Sequence, residues 1–116
     1  MTVNEKKLLM TLGLGARAGA LVSGTELVCE ALRSGKKKPL LVIEASDTSE
    51  NTHKRLNDKC AYYGVRIERI GANASELGHA IGKSSSSAAV GVTDAGICRA
   101  IDKKLRELSE LGEKSE

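Results

Sequence analysis

Apolar positions along the chain follow two rhythms. One recurs about every three to four residues and predicts helices; the other is a set of short unbroken runs that predict buried strands. Residues 4–18 open with the first: Leu8, Leu9, Leu12 and Ala16 share a helical face, although Gly13, Gly15 and Gly19 weaken helix propensity toward the end. A short apolar piece, Ala20-Leu21-Val22, follows. Ser23 and Glu26 stand at the spacing of a capping box ahead of a second helix. The buried face of that helix is expected at Leu27, Val28, Ala31 and Leu32, with Gly35 closing it. Residues 40–43 (Leu-Leu-Val-Ile) read as a strand covered on both faces.

The second half repeats the alternation. A third helix starts at Asp47 or Thr48 and runs to about Tyr63, with Leu56, Cys60 and Tyr63 inward and Gly64 as its stop. Val65, Ile67 and Ile70 mark the next strand, whose Arg66, Glu68 and Arg69 are expected outward or at an edge. Asn73 and Glu76 form a second capping-box pattern before a short helix carrying Leu77, Ala80 and Ile81. Residues 88–92 make a strand of small side chains, and Thr93 or Asp94 caps a last helix with Ile97, Ile101, Leu105 and Leu108 in register. The polar end, residues 112–116, is expected to fray. Strands that alternate with helices place helices on both faces of a sheet. The expected architecture is an α/β fold, a three-layer α/β/α sandwich with a mixed four-stranded sheet, in one domain over residues 1–116 with its core at about 4–108.

Composition narrows the picture. The chain has 116 residues, enough for one core without metal or disulfide staples. Tyr62 and Tyr63 are its only aromatics, so the core must be aliphatic, with Ala and Cys filling in. The net charge of +3 permits a nucleic-acid partner without demanding one. Cys29, Cys60 and Cys98 lie far apart with no CxxC or Cys/His cluster, so buried reduced thiols are expected and no metal. No apolar leader or membrane-length run appears, which points to the cytoplasm and away from a membrane.

Candidate chemistry is sparse. Gly82-Lys83-Ser84 looks like the end of a phosphate-binding loop, but only three residues separate Gly78 from Gly82, and the segment follows a helix instead of a strand. Gly13, Gly15 and Gly19 lack the spacing and the preceding strand of a dinucleotide fingerprint. His53 and His79 have no nucleophile at a recognisable spacing, and no constellation points to an enzyme or a cofactor. Lys36, Lys37 and Lys38 form a positive run that suits either a helix C-terminus or phosphate contact.

Several stretches together carry a resemblance: Leu12-Gly13-Leu14-Gly15-Ala16-Arg17-Ala18-Gly19, Leu21-Val22-Ser23-Gly24-Thr25, Ala31-Leu32-Arg33-Ser34-Gly35, Leu41-Val42-Ile43-Glu44-Ala45, Ser49-Glu50-Asn51-Thr52, Lys59-Cys60-Ala61-Tyr62-Tyr63-Gly64-Val65, Glu76-Leu77-Gly78-His79-Ala80-Ile81-Gly82 and Thr93-Asp94-Ala95-Gly96. In order and spacing the chain resembles a bacterial member of the L7Ae/L30e ribosomal-protein superfamily over roughly residues 4–108. The resemblance implies binding to structured RNA, ribosomal or other, at a kink-turn. The start of the second helix would enter the kink, and the loop after the fourth helix would pack on splayed nucleotides. Gly24 and Thr25 match the family motif. Where the family commonly shows Asn-Glu-x-x-Lys, this chain has Glu26, Leu27 and Glu30. The resemblance thus maps an RNA face onto Arg17, Ser23, Gly24, Thr25, Glu26, Leu27, Glu30, Arg33, Lys83, Ser84 and Ser85. The residues themselves also allow Glu26 to complete the Ser23 capping box, Leu27 to be core, and Glu30 to pair with Arg33 or Ser34. The acidic start of this helix leaves a second function open, a same-fold module that contacts a basic protein, the ribosome included.

Overall fold

A computed structural model describes residues 2–110 of the chain. The elements run α1 (Val3–Arg17), β1 (Leu21–Ser23), α2 (Thr25–Ser34), β2 (Leu41–Glu44), α3 (Glu50–Tyr63), β3 (Arg66–Arg69), α4 (Ala74–Ala80), β4 (Ala89–Val92) and α5 (Ala95–Glu110). The four strands form one mixed sheet in the order β1-β4-β2-β3. β4 pairs antiparallel with β1 and with β2, while β2 and β3 are parallel and joined by the α3 crossover. The expected sandwich is therefore present, with β3 at an edge. Residues 112–116 lie outside the described part.

Each strand sends alternate side chains to opposite faces, and two cores result. Leu41 and Ile43 of β2, with Val90 and Val92 of β4, meet Leu8, Leu9 and Leu12 of α1, Leu77 of α4 and Ile101 of α5. Val42 and Ala89 point the other way, onto Val28, Cys29 and Leu32 of α2 and Leu56 and Cys60 of α3. No ring is fully buried in either core; Tyr63 packs half-buried against the second. Burial pushes the Cys60 thiol up to about 11 and raises Cys98 as well, so these sulfurs stay protonated near neutrality and pack as small hydrophobes.

Helix starts explain most boundary differences. α1 begins at a Thr2–Glu5 capping box, two residues before the N-terminus that its apolar face marks. α3 is capped by Ser49, whose Oγ accepts from the Thr52 amide at 3.2 Å, in place of Asp47 or Thr48. The Asn73–Glu76 box forms as expected, and Asp94 Oδ2 accepts from the Ile97 amide at 2.9 Å to cap α5. The β2 run is shifted by one residue: Leu40 is exposed and Glu44 takes the last strand position, 1% exposed. The Glu44 carboxylate accepts from His53 Nδ1 at 2.7 Å and lies 3.8 Å from Arg69 Nε, so His53 is a partnered side chain on α3. No helix among the described residues is long and apolar enough to cross a membrane, and no His, Cys, Asp or Glu group among them is arranged to hold a metal ion.

Candidate nucleic-acid interface

The expected Ser23–Glu26 capping box does not form. Ser23 is held in β1 opposite Val90, and the Gly24 amide donates to the Ala89 carbonyl at 2.9 Å. That pairing carries the extended chain one residue further, so Gly24 becomes the N-cap at φ 95°, a conformation L side chains rarely adopt. Glycine has no side chain to close the first turn. Of the described helices, α2 alone starts without a side-chain cap. Its first-turn N–H groups thus face outward with the positive end of the helix dipole behind them.

Released from the box, both side chains find distant partners. Ser23 Oγ accepts a hydrogen bond from Lys83 Nζ at 3.2 Å, across 60 residues of sequence. The Glu26 carboxylate is clasped by both terminal nitrogens of Arg55 on α3, at 2.7 and 2.9 Å. This fork-to-fork hydrogen bonding lowers the Glu26 pKa and raises that of Arg55. Glu30 pairs with Arg33 one turn along the same helix. The two carboxylates of α2 are each matched by a guanidinium, and among the described residues no carboxylate pairs with Lys83.

Leu27 is 59% exposed and projects from the first turn of α2, which corrects its reading as core; Cys29 is buried in its stead. Leu27 therefore offers an apolar surface beside the open amides. The 81–88 loop crosses over α4 next to this end. Its Lys83 amide donates to the Gly78 carbonyl at 2.9 Å, and its Ser87 amide donates to the Ala74 carbonyl at 2.9 Å. Ser84 and Ser85 are exposed on the same loop, between these two ties.

The structure thus brings Ser23, Gly24, Thr25, Glu26, Leu27 and Lys83 to one end of the sheet, with Ser84 and Ser85 alongside. Two of the expected residues stand apart. Arg33 lies near the C-terminus of α2, roughly 12 Å along the axis from Thr25. Arg17 ends α1 and borders the groove between α1 and α4 with Gly13 and Ala80. Lys38, from the basic run, donates to the Tyr63 carbonyl at 2.8 Å, beyond the far end of α2. Arg55 was not among the expected residues. It sits 29 positions from Glu26 in a polar stretch of helix, and no local pattern marks it.

Comparison with known proteins places the chain in a family and finds its fold elsewhere. The profile of the family described as "Ribosomal protein L7Ae/L30e/S12e/Gadd45 family" matches residues 6–101. The chain is 42% identical over 85 residues to the RNA-binding protein YlxQ of Bacillus subtilis (strain 168), covering 73% of this chain and 81% of that protein. It is 37% identical over 107 residues to the RNA-binding protein YlxQ of Enterococcus faecium, covering 92% and 95%. A solved structure of a protein of unknown function from Bacillus halodurans C superposes with TM-score 0.77 at 40% identity, covering 86% of this chain and 97% of that one. The Giardia lamblia 15.5kD RNA binding protein shares the fold with TM-score 0.73 at 20% identity, covering 96% and 92%.

Proposed function

Because the chain belongs to the ribosomal protein L7Ae/L30e/S12e/Gadd45 family, we propose that it is an RNA-binding protein, acting as a single domain on kink-turn or related structured RNA of the ribosome or another ribonucleoprotein. The observation that carries this reading is the uncapped start of α2 with the Lys83 ammonium tied to Ser23 beside it. Outward amides at a helix N-terminus receive phosphate oxygens, and a lysine on the flanking loop adds a mobile positive charge. Leu27 replaces base-edge hydrogen bonding with apolar contact, so recognition here rests on backbone amides, shape and stacking more than on side-chain readout. In this reading the 81–88 loop, with Ser84 and Ser85, lies along nucleotides splayed by the kink. Arg17 and Arg33 serve as outlying contacts to flanking backbone.

A basic protein partner would require an unbalanced acidic surface at α2. Glu26 and Glu30 are each matched by an arginine, which favours RNA over that alternative.

Titration of the protein with a kink-turn RNA and with a plain duplex of equal length, across salt concentrations, tests the proposal. Tighter binding to the kink-turn is expected, weakening steeply as salt rises because each neutralised phosphate releases counterions. Equal and weak retention of both RNAs would sink the reading. Within it, Glu30→Lys is expected to tighten binding and steepen the salt dependence, since it removes an anion and frees Arg33. An unchanged salt slope would show that this face of α2 does not meet RNA.

A further inference from the structure

The chain's only two aromatic side chains stand together at the end of α3: Tyr63 is half-buried against the second core, as its inward position predicts, and Tyr62 is left outside it. Tyr62 is 81% exposed at the end of α3. Tyr63 packs edge-on against it, with centroids 4.8 Å apart and ring planes at 85°. The Lys38 ammonium stands 5.9 Å from the Tyr63 ring centre and holds the Tyr63 carbonyl at 2.8 Å. From these rings an open groove of about 680 Å³ runs back along α3, past Lys59 and Asp58 to Arg55 and Asn51. Asn51, Arg55, Asp58 and Tyr62 recur at helical spacing, so they form one longitudinal stripe.

The unpaired charge on and beside this stripe is positive. Asp58 is paired with Lys54 at 2.8 Å, and Glu26 is paired with Arg55. Among the described residues, Lys59, Lys36 and Lys37 have no carboxylate partner. The stripe passes Arg55, which holds Glu26 at the α2 start, and ends at the tyrosines, where Lys38 of the basic run joins it. It therefore continues the proposed RNA face without a break. Of the large exposed aliphatics, which a protein partner would seek, Val3, Met10 and Leu14 lie on α1, Leu27 at the α2 start and Leu40 just before β2; none lies on α3.

We propose that the outer face of α3 is a second RNA-binding strip that takes an unpaired strand leaving the structured element. Lys59 and Lys36–Lys38 track its phosphates, and Tyr62 stacks on one of its bases. Exposed aromatics set among unpaired cations are the common means of holding single-stranded nucleic acid, because every base has a π-face. The inference rests on RNA being the ligand.

Three RNAs test it: a kink-turn alone, and the same kink-turn with a short single-stranded adenosine tail on either strand end. Wild type is expected to bind one tailed RNA roughly fivefold or more tightly than the tailless one, the factor that stacking of a single base supplies. Tyr62→Ala should remove the gain without touching affinity for the tailless RNA, and Tyr62→Phe should retain it. With no tryptophan and two tyrosines in the chain, intrinsic fluorescence reads the stack directly: the tailed RNA should quench emission, and far less so in Tyr62→Phe. Tyr62 is solvent-facing, so both variants keep the fold, which circular dichroism checks. Tailless binding with no gain from either tail overturns the strip while the proposed function stands. A gain that survives Tyr62→Ala also overturns it, and acidic-peptide binding lost in Tyr62→Ala together with such a null result would assign the face to protein. Binding through the tail alone supports the strip and overturns kink-turn recognition.

Discussion

Gly78→Ala is expected to destabilise the protein by about 2 kcal/mol, in the range that overpacking of a closed site costs, and to weaken RNA binding at the same time. Helix propensity by itself argues the opposite, since alanine is favoured over glycine by roughly 1 kcal/mol inside a helix. The neighbours decide the sign. A Cβ on Gly78 would lie 2.2 Å from the Ser85 carbonyl oxygen, 3.0 Å from Ser86 Cα and 3.1 Å from the Ser86 carbonyl carbon. All three atoms are backbone, and the loop that carries them is tied down at Lys83 and Ser87 on either side. No side chain can swing away, so the loop must lift off α4. Lifting it carries Lys83 away from Ser23 and from the start of α2. Thermal unfolding should show the midpoint falling by several degrees per kcal/mol lost, and kink-turn affinity should fall with it. A variant that gains stability and keeps wild-type affinity would mean that the close crossing over Gly78 does not position Lys83.

The same residues show what a sequence can and cannot disclose. A capping pattern written locally is legible where nothing competes: Asn73 with Glu76 forms as its spacing predicts, and of Thr93 and Asp94 it is Asp94 that caps α5. The Ser23–Glu26 pair carries the same pattern and fails. Two non-local interactions outbid it: strand pairing pins Ser23 and Gly24 against β4, and Arg55 offers Glu26 a charged, two-pronged partner. Leu27 illustrates a second limit. On a ten-residue helix the apolar stripe through Val28, Ala31 and Leu32 can be flanked by Leu27 or by Cys29, and periodicity cannot choose between them. Packing against α3 and β4 chose the smaller thiol. The shift of β2 by one residue has a similar origin, because a carboxylate at Glu44 looks like a strand end until His53 and Arg69 are seen to satisfy it. Order of elements and layer arrangement were legible, and the residues expected at the candidate site, Ser23 to Leu27 with Lys83, do fall together at the α2 start. The pairings that set the charge of that site were not, since each joins residues distant in the chain.

Arg55 is where that limit matters most, and its substitution carries the largest functional prediction. Arg55→Glu is expected to reduce kink-turn affinity about tenfold or more at low salt, in keeping with the cost of placing like charges together at an interface. In the wild type the guanidinium cancels Glu26 beside the outward amides of α2; reversing it leaves two adjacent carboxylates where phosphate should approach. The deficit should shrink as salt rises, because the repulsion acts over a Debye length of about 8 Å at physiological ionic strength. Folding should be nearly unaffected, because the Glu26–Arg55 pair is solvent-exposed and such pairs add little to stability. Glu26→Arg combined with Arg55→Glu rebuilds the pair in reverse order and is expected to recover most of the lost affinity. That recovery points to charge balance, because the swap moves the guanidinium from α3 to α2 and a direct bond from Arg55 to a phosphate would be lost. Protein with Arg55→Glu that binds kink-turn RNA as tightly as wild type, at low salt and with the fold intact, would remove the α2 start from the RNA interface.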